Sequence, residues 1–244
     1  MNFRNKEHFN IFLKNLKVLG MGSQGVCFLD EKNKIVYKVF HEYFDNEECS
    51  YRREDILKFS NIDNKTFIWP KNILVVEGQL VGYTMPYVNA KSLYENNPLQ
   101  VNLNSLETAI ESSSNDIKLL TSNNIALYDV MYNILYRKGK FSIIDTMEYS
   151  QKEITLEKNM EAFNHEIKLF LVDNYFNNFV SNSRILSEMY IENISSLQFL
   201  KQFRKELSNT LEENIITLSQ AKSLIKRSPM PRYIRSINWN DNYE

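Results

Sequence analysis

LGMGSQGVCF, Leu19 to Phe28, places Gly20, Gly22 and Gly25 within six positions. The 244-residue chain has six glycines, so half of them are in this stretch. Two readings compete for it: a loop whose backbone N–H groups cradle phosphate, or a Gly-rich hairpin turn. The loop alone leaves them even, and the residues after it narrow the choice. A dinucleotide-binding βαβ unit needs the loop to open a helix whose N-terminus faces the pyrophosphate. Here VCFLDEKNKIVYKVF follows, which reads as strand, turn and strand. A Walker A loop needs Gly-Lys-Ser/Thr after its glycines, and Ser23-Gln24-Gly25 does not supply it. What survives is a strand–loop–strand hairpin that could fold over a nucleotide.

Thirteen residues after Gly25 stands Lys38, in IVYKVF. Strand alternation puts Val36 and Lys38 on the face of an expected ligand, and Tyr37 and Val39 on the other. A cation there can meet phosphate oxygens, although a lone strand lysine is usually only solvated.

Composition sets the frame. Hydrophobic residues are 43% of the chain and charged ones 24%, enough for a packed core. The net charge of −1 gives no cationic basis for nucleic-acid binding, so none is expected. Cys27 and Cys49 cannot make a disulfide framework or a four-ligand zinc site. The N-terminus MNFRNKEHFNIFLKN lacks the apolar core of a signal peptide, and no apolar run approaches membrane-span length. The expectation is a soluble cytoplasmic protein without a membrane partner.

The first half reads as short strands. LKVLG and GVCFLD flank the loop, DEKNK turns, and IVYKVF follows. Tyr51, Ile56, Leu57 and Phe59 give helical spacing between Asp45 and Asn61. NILVVEGQLVGYTMPYV is a hairpin turning at Glu77-Gly78, and NILYRKGKFSIID another, turning at Lys138-Gly139. Residues 100–124 read as helix, and from Leu156 helical patterning runs nearly to Arg227. The organisation is a β-rich front part, residues 1–88, and a mainly helical back part, residues 89–244, joined near 89–92.

At this point the residues resemble the protein-kinase-like fold: α+β, bilobal, with a β-rich N-lobe and a mainly helical C-lobe. Gly20-Met21-Gly22-Ser23-Gln24-Gly25-Val26-Cys27 is similar to the family's Gly-rich loop, and Ile35-Val36-Tyr37-Lys38 to its strand-three lysine motif. The resemblance implies that Gly20, Gly22, Ser23 and Gly25 cover the phosphates of ATP. It implies that Lys38 contacts the α- and β-phosphates and pairs with a helix glutamate, with Glu54 the choice over Glu47 and Glu48. Tyr83 to Val88 resembles strand five and the hinge. Met85 would stand beside the adenine, with the Pro86 carbonyl and Val88 N–H on its edge. Leu19, Cys27, Val36 and Leu135 would sandwich the purine.

Asp129-Val130-Met131-Tyr132-Asn133-Ile134-Leu135 resembles the catalytic loop, with Asp129 orienting the acceptor hydroxyl. Asn133 and Asp145 would be the Mg2+ ligands. The sequence departs from the family pattern at several points. His-Arg-Asp becomes Leu127-Tyr128-Asp129, and Asp129 to Asn133 is one residue shorter than usual. Asp-Phe-Gly becomes Asp145-Thr146-Met147, and no Ala-Pro-Glu follows before the helix near Leu156. Little room remains for a peptide-docking segment. The departures favour a small-molecule or atypical kinase, or a fold that has lost catalysis. Three expectations follow: an ATP- and magnesium-dependent phosphotransferase with an unidentified acceptor, a nucleotide-binding pseudokinase, or an α+β protein whose Gly loop is only a hairpin.

His8, His41 and His165 have no metal-ligand spacing and read as structural or surface residues. Lys222, Lys226, Arg227, Arg232 and Arg235 make a modest basic tail that reads as a solvated face. Trp69 and Trp239 read as packing residues.

Overall fold

The structure, a computed structural model, describes residues 1–192 and 194–225. Lys226, Arg227, Arg232, Arg235 and Trp239 of the sequence reading lie outside the described residues; Lys222 is exposed.

The chain opens with a short strand β1 (Asn2–Phe3) and helix α1 (Lys6–Lys14). Strands β2 (Lys17–Met21), β3 (Gly25–Asp30) and β4 (Ile35–Phe40) follow. Two short helices come next, α2 (His41–Asp45) and α3 (Arg53–Leu57), then hairpin β5 (Asn72–Val76) and β6 (Gln79–Pro86). Strand β7 (Lys91–Ser92) leads through two 3₁₀ turns to the long helix α4 (Leu103–Ser122). After it come β8 (Ile125–Ala126), hairpin β9 (Ile134–Arg137) and β10 (Lys140–Ile143), and β11 (Ser150–Gln151). Helices α5 (Leu156–Val172), α6 (Asn177–Asn182), α7 (Arg184–Ile191) and α8 (Ser196–Leu211) finish the helical part, with a 3₁₀ turn at Leu218–Leu224.

The first six strands form one sheet in the order β1-β5-β6-β4-β3-β2. Turn chemistry fixes its register. Asp30 accepts from the backbone N–H groups of Lys32 and Asn33, which closes the turn into β4. Glu77 and Gly78 both have positive φ, as do Lys138 and Gly139, so both expected hairpins turn where the sequence places them. Gly25 and Gly82 allow strands to approach closely. A Cβ on Gly25 would lie 2.1 Å from the Val39 carbonyl oxygen, and one on Gly82 2.1 Å from that of Lys38.

The two sheet faces carry different cores. Tyr37 and Val39 face a cluster with Phe3, Phe9 and Leu13, so α1 covers that face. Apolar Phe9 and Leu13, at i and i+4, make this helix amphipathic, and Asn5 caps it by accepting from the His8 N–H. The polar N-terminal stretch, in which the sequence patterning marks no element, is thus a helix docked on the sheet. On the opposite face Leu29, Val36, Tyr83, Met85 and Met147 form a second cluster. The largest core joins α4, α5 and α8 and also takes Phe59, Phe67 and Trp69 from the front half. Phe67 makes an isolated bridge to Ile143, so the front half is pinned into the helical half.

One expectation needs correction. Helical spacing over 45–61 does not produce one helix, because α2 ends at Asn46 in the left-handed region (φ 57°) and only Arg53–Leu57 is helical again. Between them Cys49 and Tyr51 pack against this second-face cluster as non-helical chain. The final helix is likewise a 3₁₀ turn.

Candidate functional site

The site lies between the sheet's second face and the segment from Leu127 to Glu148. Cross-strand pairing aligns Cys27 with Lys38 and Lys38 with Tyr83, and Val36 with Met85. Directly paired residues share a face, so these five side chains stand together. Lys38 is only 5% exposed, an unusual place for an ammonium without partners. It has two: the Asp145 Oδ1 at 2.5 Å, 107 residues away, and the Gln24 Oε1 at 2.5 Å. Its Nζ also stands 5.9 Å from the centre of the Tyr83 ring. Burial and Asp145 raise the Tyr83 hydroxyl well above its ordinary pKa.

The lower wall is a loop of unusual backbone. Asp129 (φ 46°), Tyr132 (φ 66°) and Asp145 (φ 59°) are all left-handed, a costly region for non-glycine residues. Asn133 donates from Nδ2 to the Asp129 carbonyl (2.7 Å) and to its Oδ2 (3.4 Å), and its carbonyl accepts from the Ile144 N–H. Asn133 therefore bridges Asp129 to the chain just before Asp145. Burial and the neighbouring Asp145 raise the Asp129 pKa, while the Asn133 amide and Lys38 pull it down. The four groups Lys38, Asp129, Asn133 and Asp145 thus act on one another electrostatically.

Buried polar side chains of α5 hold this loop. Asn159 accepts from the Leu127 N–H (3.0 Å) and donates to the Ile125 carbonyl and the Thr121 hydroxyl. Glu166, 1% exposed, accepts from the Tyr94 hydroxyl. Burial raises its carboxyl pKa, against the lowering pull of Tyr94 and the Tyr132 backbone. Tyr94 stacks on Tyr132 with ring centres 5.1 Å apart. The sequence reading did not single out Asn159, Glu166 or Tyr94. A polar residue at a core position of a helix is the signal that could have found the first two.

The remaining expected residues are distributed as follows. Gly20 and Gly22 have nothing within 4 Å of a would-be Cβ, so the fold itself does not require glycine there. Ser23 is exposed. His41 fastens the loop: its Nε2 lies 2.8 Å from the Gly22 carbonyl oxygen, and its N–H donates to that of Gln24. Leu19 is exposed, Cys27 and Leu135 are half-buried, and Met85 is buried. Pro86 pairs with Ile35 at the strand end, and the Val88 N–H has no acceptor among the described residues. Glu54 does not join the site. It is exposed on the five-residue α3, and Lys38 is satisfied by Asp145 and Gln24 instead. Glu47 and Glu48 are exposed too. The physical reason is helix facing: α3 packs onto the sheet through Ile56, buried with Val36 and Tyr83, and Glu54, two positions earlier, points away from that face.

Solved structures decide the fold. The autoinhibited serine kinase domain of the giant muscle protein titin matches with a TM-score of 0.53 over 88% of this chain and 82% of that chain, at 12% identity. The chain has a protein-kinase-like fold. In this chain β2 and β3 flank the Gly-rich stretch and β4 carries Lys38. No protein-family model and no curated protein sequence matches the chain. Among the described residues no helix is long and apolar enough to cross a membrane.

Proposed function

We propose that the chain is an ATP- and magnesium-dependent phosphotransferase that passes the γ-phosphoryl group to a hydroxyl of a small-molecule or protein acceptor. The observation that carries this reading is the convergence of Lys38, Asp145, Asn133 and Asp129 beneath the Gly-rich loop. Phosphoryl transfer asks the protein mainly for positioning and charge stabilisation, which such a set can supply. Lys38 would donate to phosphate oxygens, and the N–H groups around Gly20, Gly22, Ser23 and Gly25 would approach them from above. The Pro86 carbonyl and Val88 N–H would take the adenine edge, with Met85, Val36, Cys27, Leu19 and Leu135 around the ring. Asp129 would accept the hydrogen of the acceptor hydroxyl.

The donor set fits magnesium borne by a nucleotide. Among the described residues no group of three His, Cys, Asp or Glu side chains could hold a metal alone. Mg2+ keeps several waters and shares phosphate oxygens, so one or two protein ligands suffice. Asp145 supplies a carboxylate and Asn133 an amide oxygen whose nitrogen is already used. The ion would draw charge from the phosphate oxygens.

The two halves would divide near 88/89, although Phe59, Phe67 and Trp69 cross that division into the helical core. Cys27 and Cys49 are free and half-buried, in keeping with a cytoplasmic location. The test is ATP turnover by wild type, Lys38→Ala and Asp145→Ala across a panel of acceptors. Each variant is expected to lose about 100-fold or more. Folded wild type that turns over nothing overturns the enzyme reading.

A second reading has its own support. The Asn133 amide is folded onto Asp129, and Leu127-Tyr128 replace the usual histidine and arginine. A nucleotide-binding pseudokinase would show Lys38-dependent thermal stabilisation by Mg-ATP without turnover. No shift at all would return the Gly loop to a plain hairpin.

A further inference from the structure

Lys38 is positioned without a helix carboxylate, so another contact must orient it. The ammonium has three N–H donors, and Asp145 takes one. The second goes to the Gln24 Oε1 at 2.5 Å, from the Gly-rich loop itself. The Gln24 amide is not free to rotate. Its Nε2 donates to the Glu148 Oε1 at 2.7 Å, three residues beyond Asp145. An amide between a carboxylate and an ammonium has one favourable orientation, nitrogen to the carboxylate and oxygen to the ammonium. Tyr51 steadies the same Glu148 oxygen from the chain before α3, at 3.4 Å. The third donor of Lys38 has no hydrogen-bond acceptor among the described residues.

We propose that Gln24, oriented by Glu148, is the positioning residue for Lys38 and does here what a helix glutamate does in the fold's usual arrangement. The inference rests on the nucleotide-binding reading, because its purpose is to aim the third donor at phosphate. Loop closure and lysine orientation become one event, since the group that aims the lysine rides on the loop. Gln24 is neutral, so Asp145 supplies the one carboxylate in direct contact with the ammonium among the described residues, with Glu148 held behind the Gln24 amide.

The experiment is a charge swap with two readouts. Nucleotide affinity is measured with Mg-ADP. The reactivity of Lys38 in the free protein is measured by acylation with an amine-reactive ester and mass spectrometry. Gln24→Ala is expected to weaken Mg-ADP binding about tenfold, the scale of one hydrogen bond to a charged group, and to raise Lys38 acylation. Gln24→Glu sets two carboxylates against each other and weakens binding similarly. The double variant Q24E/E148Q restores a carboxylate–amide pair with its members exchanged and returns both readouts to within about threefold of wild type.

The proposal is overturned if Gln24→Ala leaves both readouts within twofold, if it tightens Mg-ADP binding, or if the double variant does no better than Gln24→Glu. Wild type that binds no nucleotide sinks the nucleotide reading, and the acylation pattern alone then decides whether Gln24 positions Lys38. Binding that is normal in wild type and unchanged in Gln24→Ala sinks the positioning role and leaves the nucleotide reading standing.

Discussion

The two walls of the cleft are built by opposite means. The upper wall is regular sheet: Cys27, Lys38 and Tyr83 line up across β3, β4 and β6 because ladder hydrogen bonds fix the register. The lower wall is loop held in left-handed backbone at Asp129, Tyr132 and Asp145, and its shape depends on buried side chains of α5. On a strand, the period of two decides which way a side chain faces. In a strained loop nothing local decides it, and the surrounding structure must over-determine the conformation. A substitution in the upper wall should therefore act through sterics between strands, and one in the lower wall through lost anchors.

Gly25→Val would strike the upper wall hardest. Its Cβ meets the Val39 carbonyl oxygen at 2.1 Å, a backbone atom that cannot step aside. The expected loss is about 4 kcal/mol or more, read as a collapse of the urea midpoint or of soluble protein. An unchanged midpoint would mean that the β3–β4 register is not as described.

Asn159→Ala tests the lower wall. It removes three hydrogen bonds and orphans the Leu127 N–H and the Ile125 carbonyl. A cost of about 2–4 kcal/mol is expected in urea unfolding, with any nucleotide binding or turnover falling alongside. Full stability with lost activity would show that Asn159 orders the loop without holding the fold.

The helical half also carries a pH signature. Burial and the charge of Lys168 push the His165 pKa down to about 4 from 6.5. Between these values the unfolded chain binds a proton that the folded one does not, so this group's contribution to stability falls as pH drops from about 6.5 to about 4. His165→Gln should flatten the stability–pH slope over that window by up to about 1.4 kcal/mol per pH unit. An unaltered slope would exclude His165 as its source. Asp129 shifts oppositely, so the acid limb of any turnover should lie above the range of an ordinary aspartate, near pH 4.

The smallest effect on stability is expected at Gly20→Ala and Gly22→Ala. Open space surrounds both positions, so stability should stay within about 0.5 kcal/mol. Nucleotide affinity should nonetheless fall, measurably by calorimetry, if phosphate approaches the backbone there. The contrast with Gly25 separates a glycine kept for the sheet from glycines kept for a ligand.

Much of the upper wall was legible in the sequence. Both hairpin turns, the strand carrying Lys38 and the opposite facing of Tyr37 and Val39 follow from turn chemistry and alternation. The order of Asp129, Asn133 and Asp145 was legible too, but their meeting was not, because it depends on a bridge from Asn133 to the chain before Asp145. The partner of Lys38 was misread. Glu54 followed from the family's usual arrangement, whereas α3 turns Ile56 to the sheet and Glu54 away from it, and Lys38 meets Asp145 and Gln24 instead. The N-terminal helix was passed over because its apolar residues, though spaced for one face, lie in a polar stretch.

The sequence by itself determined the strands, their turns and the residue types available to the site, because propensity, glycine freedom and alternation act within a few residues. Tertiary structure alone decided what Lys38 touches, which glycines are sterically required and how Asp129 and Asp145 come to share a site. Those outcomes depend on contacts between separate elements, some across more than a hundred residues of chain, such as Lys38 to Asp145 at a separation of 107 and Gln24 to Glu148 at 124. No local preference encodes such a contact, because it forms only after the cores that bring its ends together have packed.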